Sequence, residues 1–495
     1  MRNLEFIQGE NRNQINLLPS SIDEYIDEDN PTRVIDVYVE SLDLQALGFE
    51  KAAPNETGRP MYSPKDMLKL YVYGYMNRVR SSRRLEAETK RNLEVIWLMN
   101  NLIPDHKTIA RFRQNNPKAL KNVFRDFVAL CNKLDLFGKE LIAIDGSKFK
   151  AWNTKDRNFT KDKLQDRLKR IDDKIAEYLN ILNDNDALEN ESSNLSASDI
   201  RNIISNLQNR KDDYSLYLDE LTNSDETQLS LTDPDSRLMK TKNGLDVCLN
   251  IQTAVDDKNK MVVEFNVENQ VQDKNLMSPL AKKSKDILQA ENPTIVADNG
   301  YDSVTDVAQV CIDGMTPVVA GGDYEFLIET TPEEAETITD YTEGLAHAVY
   351  LPDRNVFVCP MGQVLYPSSF NKSKHIARYM NCKACRNCTH KCTVSNYYRA
   401  ERRIKQSEFS KEYNDKELYL KRVQIRQNKE IVRQRKSIIE HVFGTVKRAF
   451  GISYLLLKGK KKVEGEISLA FLALNIKRAI NTLGTKRLIA AIKAA

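Results

Sequence analysis

The sequence has no stretch long and apolar enough to cross a membrane. No run of 18 or more apolar residues occurs, and no basic segment followed by an apolar one opens the chain. We therefore expect neither a membrane span nor secretion, and the cytoplasm is the expected compartment. The 495 residues exceed what one hydrophobic core usually organises, so two to four structural units are expected.

The net charge of +4 is small, but the charges are segregated along the chain. Residues 59–150 carry 19 basic and 9 acidic side chains, and residues 399–495 carry 24 and 9. Residues 1–58 carry 4 basic and 12 acidic side chains, and residues 151–398 carry 27 and 40. Two basic blocks beside acidic ones favour a polyanionic partner that touches parts of the fold. The alternative is two solvated helical surfaces rich in lysine.

The order of sequence patterns predicts an α/β core interrupted by two insertions. The predicted parts are an acidic N-terminal segment (1–58), a helical DNA-binding domain (59–138), the first parts of the core (139–154 and 231–321), an inserted helical hairpin (155–230), a cysteine-rich insert (322–398) and a C-terminal helical part (399–495).

Four helices are predicted in the basic block at 59–138. Ser63 is a suitable N-cap, and Pro64 suits the first helical position. A second helix is predicted from Ser81 or Ser82 to Asn100, a short third one follows, and Pro117 opens the fourth. Because no sharp helix-turn-helix pattern is present, the helix that would enter a DNA groove is not identified.

Heptad spacing predicts the inserted hairpin. Apolar residues follow one another at intervals of 4-3-4-3-4 in its first half and keep this seam in its second half, with one lysine interrupting it. The two series are Leu164, Leu168, Ile171, Ile175, Tyr178 and Leu182, and then Ile200, Ile204, Leu207, Lys211, Tyr214, Leu218 and Leu221. Two such helices joined by a polar loop are typical of an antiparallel pair.

Two aspartates follow short apolar runs of the buried-strand type. Leu141 to Ile144 precede Asp145, and Ile295 to Ala297 precede Asp298. We expect each strand to end at its aspartate, with a glycine letting the backbone turn away. Carboxylates at adjacent strand ends can converge on one spot and bind hard cations such as Mg²⁺ or Mn²⁺. The alternative is that both aspartates form turns or caps.

A third carboxylate lies in the basic segment "RKSIIEHVFGTVKRAFG", residues 435–451. If this segment is helical, Glu440 and Lys447 lie two turns apart on one stripe. The glutamate could then reach a metal ion while the lysine contacts a phosphate, and Gly444 between them lets DNA approach. The alternative for Glu440 is a surface salt bridge.

Together these stretches resemble the catalytic core of the DDE transposases of bacterial insertion sequences. The matching segments are "AIDGSKFKA", "DPDSRLM", "NIQTAVD", "VADNGYDS" and "RKSIIEHVFGTVKRAFG", preceded by the helical "SPKDMLKLYVYGYM" and "PDHKTIARFR". The likeness covers roughly residues 60–485.

This resemblance implies a ribonuclease-H-like mixed sheet with flanking helices. It makes Asp145, Asp298 and Glu440 the catalytic triad that holds, in all, two Mg²⁺ or Mn²⁺ ions for phosphodiester chemistry. It also implies double-stranded DNA as the partner, both the terminal inverted repeats of the element and the target. A homodimer or higher oligomer would act on this DNA in the bacterial cytoplasm, at the nucleoid.

Many relatives carry Tyr-x₂-Arg-x₃-Glu-x₆-Lys around the glutamate. This sequence keeps the glutamate and the lysine, but Arg433 replaces the tyrosine and Lys436 the arginine. A lysine lacks the bidentate grip of arginine on a phosphate. The expected DNA-binding residues are Arg433, Arg435, Lys436, Lys447 and Lys148.

Trp152 follows Asp145 by seven residues. Packing in the core is the favoured role for this ring, and stacking on a DNA base near the cleavage point is the alternative.

Five of the eight cysteines fall within 34 residues, which in a cytosolic chain favours a metal site over disulfides. They are Cys359, Cys382, Cys385, Cys388 and Cys392. The favoured interpretation is a structural Zn²⁺ held by Cys359, Cys382, Cys385 and one of the last two, with His390 as another potential ligand. The alternatives are unligated thiols and an iron–sulfur cluster, although Thr393 replaces the proline that usually follows the last cysteine of the ferredoxin pattern.

Three functions are compatible with these patterns. An active transposase is favoured, because the acidic triad is intact. A DNA-binding regulator derived from a transposase would keep the basic surfaces without catalysis. A metal-dependent nuclease would cleave DNA without joining strands.

Overall fold

A computed structural model describes most of the chain on either side of one long gap. It covers residues 21–50, 61–188, 197–224, 226–242, 244–301, 303–319 and 429–494, with shorter pieces at 349–351, 356–359, 361–371, 376–381, 383–384 and 399–403. The described residues form a mixed α/β structure. None of their helices combines the length and the apolar character that spanning a membrane requires.

Six helices occupy the N-terminal part of the chain, after a 3₁₀ turn at Ile22–Tyr25. They are α1 (Pro31–Ser41), α2 (Pro64–Met76), α3 (Ser82–Arg91), α4 (Leu93–Leu98), α5 (His106–Asn115) and α6 (Pro117–Lys133). The predicted start of α2 is confirmed, because the Ser63 side chain accepts the Lys65 N–H and Pro64 opens the helix. Pro117 likewise opens α6.

The helix predicted from Ser81 or Ser82 to Asn100 is in fact two helices. Asn92 separates α3 from α4, and its side chain accepts the N–H groups of Glu94 and Val95 as an N-cap. The block therefore holds five helices, not four. The sequence patterns also gave no sign of α1, which lies in the acidic N-terminal segment and packs against α2.

A mixed sheet forms the centre of the molecule. The strands of the middle region are β1 (Leu141–Lys150), β2 (Asn158–Phe159), β3 (Leu229–Ser230), β4 (Arg237–Thr241), β5 (Gly244–Asp256), β6 (Val262–Glu268), β7 (Thr294–Ala297) and β8 (Thr316–Val319). The order across the central sheet is β6–β5–β1–β7–β8, and β4 pairs with the start of β5. Strand β5 is antiparallel to β1 and β6, whereas β1, β7 and β8 are parallel. Strands β2 and β3 pair separately.

The expectation that the first strand ends at Asp145 is wrong. Strand β1 continues to Lys150, because β5 pairs with it from Ile142 to Lys150. Asp145 therefore lies in the middle of a central strand. The expectation for Asp298 is confirmed, since β7 ends at Ala297 and a 3₁₀ turn, Asn299–Tyr301, follows.

Among the described residues, seven further helices surround the sheet or extend from it. They are α7 (Lys161–Leu188), α8 (Ala197–Asn223), α9 (Met277–Leu288), α10 (Val304–Ile312), α11 (Lys429–Gly444), α12 (Lys460–Leu483) and α13 (Thr485–Ala494). A π-helical turn, Thr445–Ala449, continues α11. Helix α11 packs against β1, β5, β7 and β8, and α9 packs against β1, β5 and β6.

Helices α7 and α8 pack against each other as an antiparallel pair. Leu164 near the start of α7 clusters with Leu221 near the end of α8. Further along, Arg167 donates a hydrogen bond to Tyr214 at 2.9 Å. Lys211, the residue that interrupts the heptad seam, forms an ion pair with Asp172 at 2.6 Å. The lysine thus replaces an apolar contact of the seam with a charged one.

A second, five-stranded antiparallel sheet lies in the region predicted to be a cysteine-rich insert. Its strands are β9 (Val349–Leu351), β10 (Val356–Val358), β11 (Val364–Asn371), β12 (Ile376–Met380) and β13 (Arg399–Arg403), paired in chain order. Cys359 follows β10 and is buried. Cys382, Cys385, Cys388, Cys392 and His390 lie outside the described residues.

Helix α12 connects the N-terminal helices with the sheet, because it packs against α2, α6 and β6. Its Glu466 is fully buried and accepts hydrogen bonds from the backbone N–H groups of Leu456 and Leu457. Arg80, which follows α2, lies 3.4 Å from this carboxylate and donates to the carbonyl oxygens of Gly451 and Tyr454. The segment after α11 is therefore fixed by the N-terminal helices and by α12 together.

We predict that Glu466→Ala destabilises the fold by about 3–5 kcal/mol, because it removes the counter-charge of the buried Arg80 and the acceptor of two backbone N–H groups. Glu464→Ala is the matched control, since its side chain is 38% exposed and it should cost less than about 1 kcal/mol. Urea unfolding of both variants measures the difference. Equal losses would contradict the role given to Glu466.

Candidate active site

Asp145 lies in the middle of β1, opposite Thr253 of β5, and contacts helix α11. Its Oδ2 accepts a hydrogen bond from Arg435 of α11 at 2.9 Å, and its Oδ1 accepts the N–H of Gly146 at 2.8 Å. The side chains of Asp145 and Arg435 are 22% and 13% exposed. This partly buried ion pair joins the central strand to α11.

The surroundings of Asp145 oppose its negative charge. Burial raises the pKa of this carboxyl to about 6, and the carboxylates of Asp298 and Asp273 raise it too. Arg435 and the N–H of Gly146 lower the pKa but do not cancel the increase. Several carboxylates therefore share a region with too little positive charge, as is common at functional sites.

Asp298 and Asp273 meet beside Gly300. Asp298 Oδ1 accepts the N–H of Gly300 at 2.9 Å. A Cβ atom added to Gly300 would stand 3.0 Å from this oxygen and 3.5 Å from Oδ2 of Asp273. The two carboxylates therefore lie against the same point, and glycine leaves that point open.

Asp273 was missed by the sequence patterns, because it lies in a polar segment before α9 that resembles any surface loop. Its Oδ1 accepts hydrogen bonds from Asn250 at 2.8 Å and from Gln252 at 2.7 Å. Both amides are fully buried in β5, and Tyr301 donates to the Gln252 carbonyl. Two polar residues at alternate positions of an otherwise apolar central strand were the available signal for this network.

Glu440 is not brought to the aspartates in this structure. It is exposed, and no hydrogen bond or ion pair joins it to another described residue. Five positions separate it from Arg435, which places it about 140° around the helix from the residue that contacts Asp145. Its side of α11 forms an open surface groove lined by Lys436, Ser437, Glu440, His441, Gly444, Thr445, Arg448 and Ala449.

Two of the expected DNA-binding residues are turned toward the sheet. Lys447 donates to Ser147 Oγ at 2.7 Å and to the carbonyl oxygen of Lys148 at 2.8 Å, and burial lowers the pKa of its ammonium group. Lys148 Nζ donates to the carbonyl oxygen of Lys240 at 3.2 Å. Arg433 and Lys436 are exposed on α11.

Trp152 is 52% exposed, so the expectation that its ring packs in the core is wrong. The ring follows the end of β1 and is accessible from solvent. Stacking on a base is the interpretation that remains.

The donor set suits a hard divalent cation, because Asp145, Asp298 and Asp273 offer only oxygen atoms. Within the described part of the chain, no three Asp, Glu, His or Cys side chains already stand in an arrangement that could hold a metal ion. The positive charge beside Asp145 is supplied by Arg435 instead. The chemistry of these donors therefore suits such a cation, whereas their present arrangement does not form a complete site.

Comparison with known proteins assigns two regions of the chain. Residues 20–115, which contain α1 to α5, match the family model "Transposase domain (DUF772)". Residues 358–480, which contain α11 and Glu440, match the family model "Transposase DDE domain". Asp145, Asp273 and Asp298 lie between the two matches.

The other comparisons add little to these matches. No curated protein matches the chain. A solved structure, the cryo-EM structure of the piggyBac transposase synaptic complex with hairpin DNA, is 9% identical with a TM-score of 0.30, over 94% of this chain and 79% of that one. A likeness of this quality carries no argument about the present chain. The two family matches are the informative ones, and together they support a DDE-type transposase of an insertion-sequence family.

Proposed function

We propose that this protein binds the terminal inverted repeats of its own insertion sequence, cleaves the DNA at the ends and joins the freed 3′-hydroxyl groups to target DNA. The observation that carries the proposal is that Asp298 lies near enough to Asp145 to raise the pKa of its carboxyl, in a chain with two transposase-domain matches. The strand order β6–β5–β1–β7–β8, with only β5 antiparallel to β1, supports a ribonuclease-H-like core.

The chemistry requires metal ions, and Asp145, Asp298 and Glu440 are the proposed ligands. A pair of Mg²⁺ or Mn²⁺ ions, when bound, activates the attacking oxygen and stabilises the leaving one. Arg435 balances the charge of Asp145 in the metal-free chain. Its planar guanidinium then suits a phosphate of the DNA backbone, which it can bind through two hydrogen bonds.

Glu440 is the proposed ligand that must move. Helix α11 packs against both strands that lead to the aspartates, so a rotation of this helix would carry its glutamate from the open groove toward them. We propose that α11 turns when DNA is bound, and that a homodimer or higher oligomer performs the reaction. Lys436 and Arg433 on the exposed side of the helix and Lys447 and Lys148 at β1 would contact phosphates.

We also propose a structural Zn²⁺ at the cysteine cluster. In the described part of this region, Cys359 begins a tight turn in which its carbonyl oxygen accepts the N–H of Gly362 at 2.9 Å. The N–H of Gln363 points to Cys359 Sγ at 3.3 Å. A backbone N–H directed at sulfur stabilises a thiolate, which is the form that binds zinc.

We predict that Asp145→Asn, Asp298→Asn and Glu440→Gln each reduce Mg²⁺-dependent nicking of element-end DNA by about 100-fold or more, because each removes a proposed metal ligand. The matched controls are Asp286→Asn on α9 and Glu430→Gln on α11, the helix that carries Glu440. Both side chains are exposed. The controls should retain wild-type rates in a gel assay of nicked and joined products.

The products of that assay separate the three functions. Joined element–target molecules support a transposase, whereas nicked DNA without joining supports a nuclease. Specific binding with no cleavage by the wild-type protein in either Mg²⁺ or Mn²⁺ would support the regulator and overturn the proposal.

A second prediction concerns stability without metal. The pKa of Asp145 is 3.8 as an ordinary aspartate and about 6 in the fold, so the folded chain binds this proton more tightly. The contribution of this group to folding stability is fully present below pH 3.8, the pKa in the unfolded chain. It is lost as the pH rises through about 6, the pKa in the fold. Asp145→Asn should therefore stabilise the protein in EDTA at pH 7.5 by about 2–3 kcal/mol, and this gain should shrink by about half at pH 5.

Urea unfolding of wild type, Asp145→Asn and Asp286→Asn at both pH values measures this effect. Asp286→Asn should change nothing. A lower stability of Asp145→Asn at pH 7.5 would show that its ion pair with Arg435 outweighs the cost of the buried charge.

The zinc proposal predicts about one zinc per chain by elemental analysis of protein purified without chelators. Cys359→Ser and Cys382→Ser should each lose most of the metal, whereas Cys131→Ser, which removes a thiol buried in the helical core, should keep it. Wild-type protein free of zinc would remove the proposal, and bound iron would favour the iron–sulfur alternative.

A further inference from the structure

We propose that Asp273 is a further metal-binding carboxylate of this site, acting beside Asp298. The inference rests on the proposed metal-dependent function and adds to it a residue outside the acidic triad. Four features of the structure support it.

The first feature is the direction of the carboxylate. Asp273 Oδ2 and Asp298 Oδ1 both face the position of a Cβ atom on Gly300, at 3.5 Å and 3.0 Å. Two carboxylate oxygens of like charge near one point repel each other, and this repulsion costs free energy. A cation between or beside them removes that cost.

The second feature is the way in which Asp273 is held. Its Oδ1 accepts two amide N–H groups, from Asn250 and Gln252, whereas no described residue donates to Oδ2. One oxygen thus fixes the carboxylate, and the other is left for a ligand. This division is typical of metal ligands that are oriented by hydrogen bonds from a second layer of residues.

The third feature is that the groups that hold Asp273 are themselves buried and hydrogen-bonded. Tyr301, fully buried and three residues after Asp298, donates to Gln252 Oε1 and so directs the amide nitrogen of Gln252 to Asp273. The hydrogen-bond chain therefore couples the segment after β7 to the loop before α9. Fully buried groups thus hold the Asp273 carboxylate in one orientation.

The fourth feature is an unpartnered buried atom. Asn250 is fully buried, and its Oδ1 has no hydrogen-bond partner in the structure. This oxygen lies 2.9 Å from the point where a Cβ on Gly146 would stand, and Asp273 Oδ1 lies 2.8 Å from the same point. A buried oxygen without a donor beside this carboxylate is a position at which a water or a cation can supply the missing partner.

These contacts also explain the two glycines. A side chain at Gly146 would collide with the carboxylate of Asp273 and with both amides, and one at Gly300 would press on Asp298. Asp273 and its supports therefore require the glycine after Asp145, whereas the carboxylate of Asp298 itself is the closest group to Gly300.

The test is Mn²⁺ binding to the metal-free full-length protein. Titration calorimetry and the EPR signal of free Mn²⁺ measure this binding. Asp273→Asn is the informative variant, because its amide oxygen can still accept the hydrogen bonds of Asn250 and Gln252 while the charge is lost. We expect it to weaken Mn²⁺ binding by about 10-fold or more. Urea unfolding should show wild-type stability or better, since one of two facing charges is removed.

Asp286→Asn, an exposed position on α9, is the matched control for a general loss of charge and should bind Mn²⁺ as the wild type does. Wild-type affinity in Asp273→Asn together with loss of binding in Asp145→Asn would overturn the role of Asp273 and leave the proposed function intact. Equal weakening in Asp273→Asn and Asp286→Asn would also overturn it. Absence of Mn²⁺ binding by the wild-type protein would instead overturn the metal-dependent function itself.

Discussion

The need to compensate the buried charge of Asp145 determines how the site is built. A carboxylate in the middle of a central strand has lost most of its water, and its neighbours are carboxylates as well. Arg435 supplies the opposite charge in an ion pair with Asp145 and thereby attaches α11 to β1. Further along, Lys447 attaches the same helical segment to Ser147 and to the backbone of Lys148. Two cations on one helix therefore set its rotation against the strand.

That rotation explains why Glu440 lies outside. Arg435 faces the sheet, and Ile438, Ile439 and Val442 are buried on the same side of α11. Glu440 then points to the groove on the other side, between the basic side chains of Lys436 and Arg448. The exposed position of Glu440 thus follows from the rotation that the Arg435–Asp145 ion pair and these buried apolar side chains set.

The sequence allowed some of this arrangement to be predicted and hid the rest for physical reasons. Asp298 was placed correctly because the apolar run before it is short and a glycine turn follows. Strand β1 was predicted too short, because apolar residues stop at Asp145 whereas pairing with β5 continues to Lys150. Hydrophobic periodicity reports burial, not hydrogen bonding, so a strand that becomes polar at a functional site looks as if it had ended.

Contacts between distant segments were the least predictable. Asp273 carries no local signal, and only the fold brings its loop over Gly146 and beside Asp298. The break between α3 and α4 is different, because Asn92 is an ordinary N-cap residue and was visible in the sequence. Sequence patterns thus predict the helices and strands and the residues that end them. Only the structure shows which side chains meet across the sheet.

The segment after α11 determines which end of the helix can move. The backbone of Leu455 donates to the carbonyl oxygen of Lys150 at the end of β1, and Arg80 holds the carbonyl oxygens of Gly451 and Tyr454. The C-terminal end of α11 is therefore fixed to the sheet and to the N-terminal helices, whereas Arg435 is its charged contact with Asp145. A turn of the helix that brings Glu440 inward would pivot near Lys447 and begin with the release of Arg435. Because Arg80 holds Gly451 and Tyr454 just beyond this pivot, a load on the N-terminal helices would reach the helix that carries Glu440.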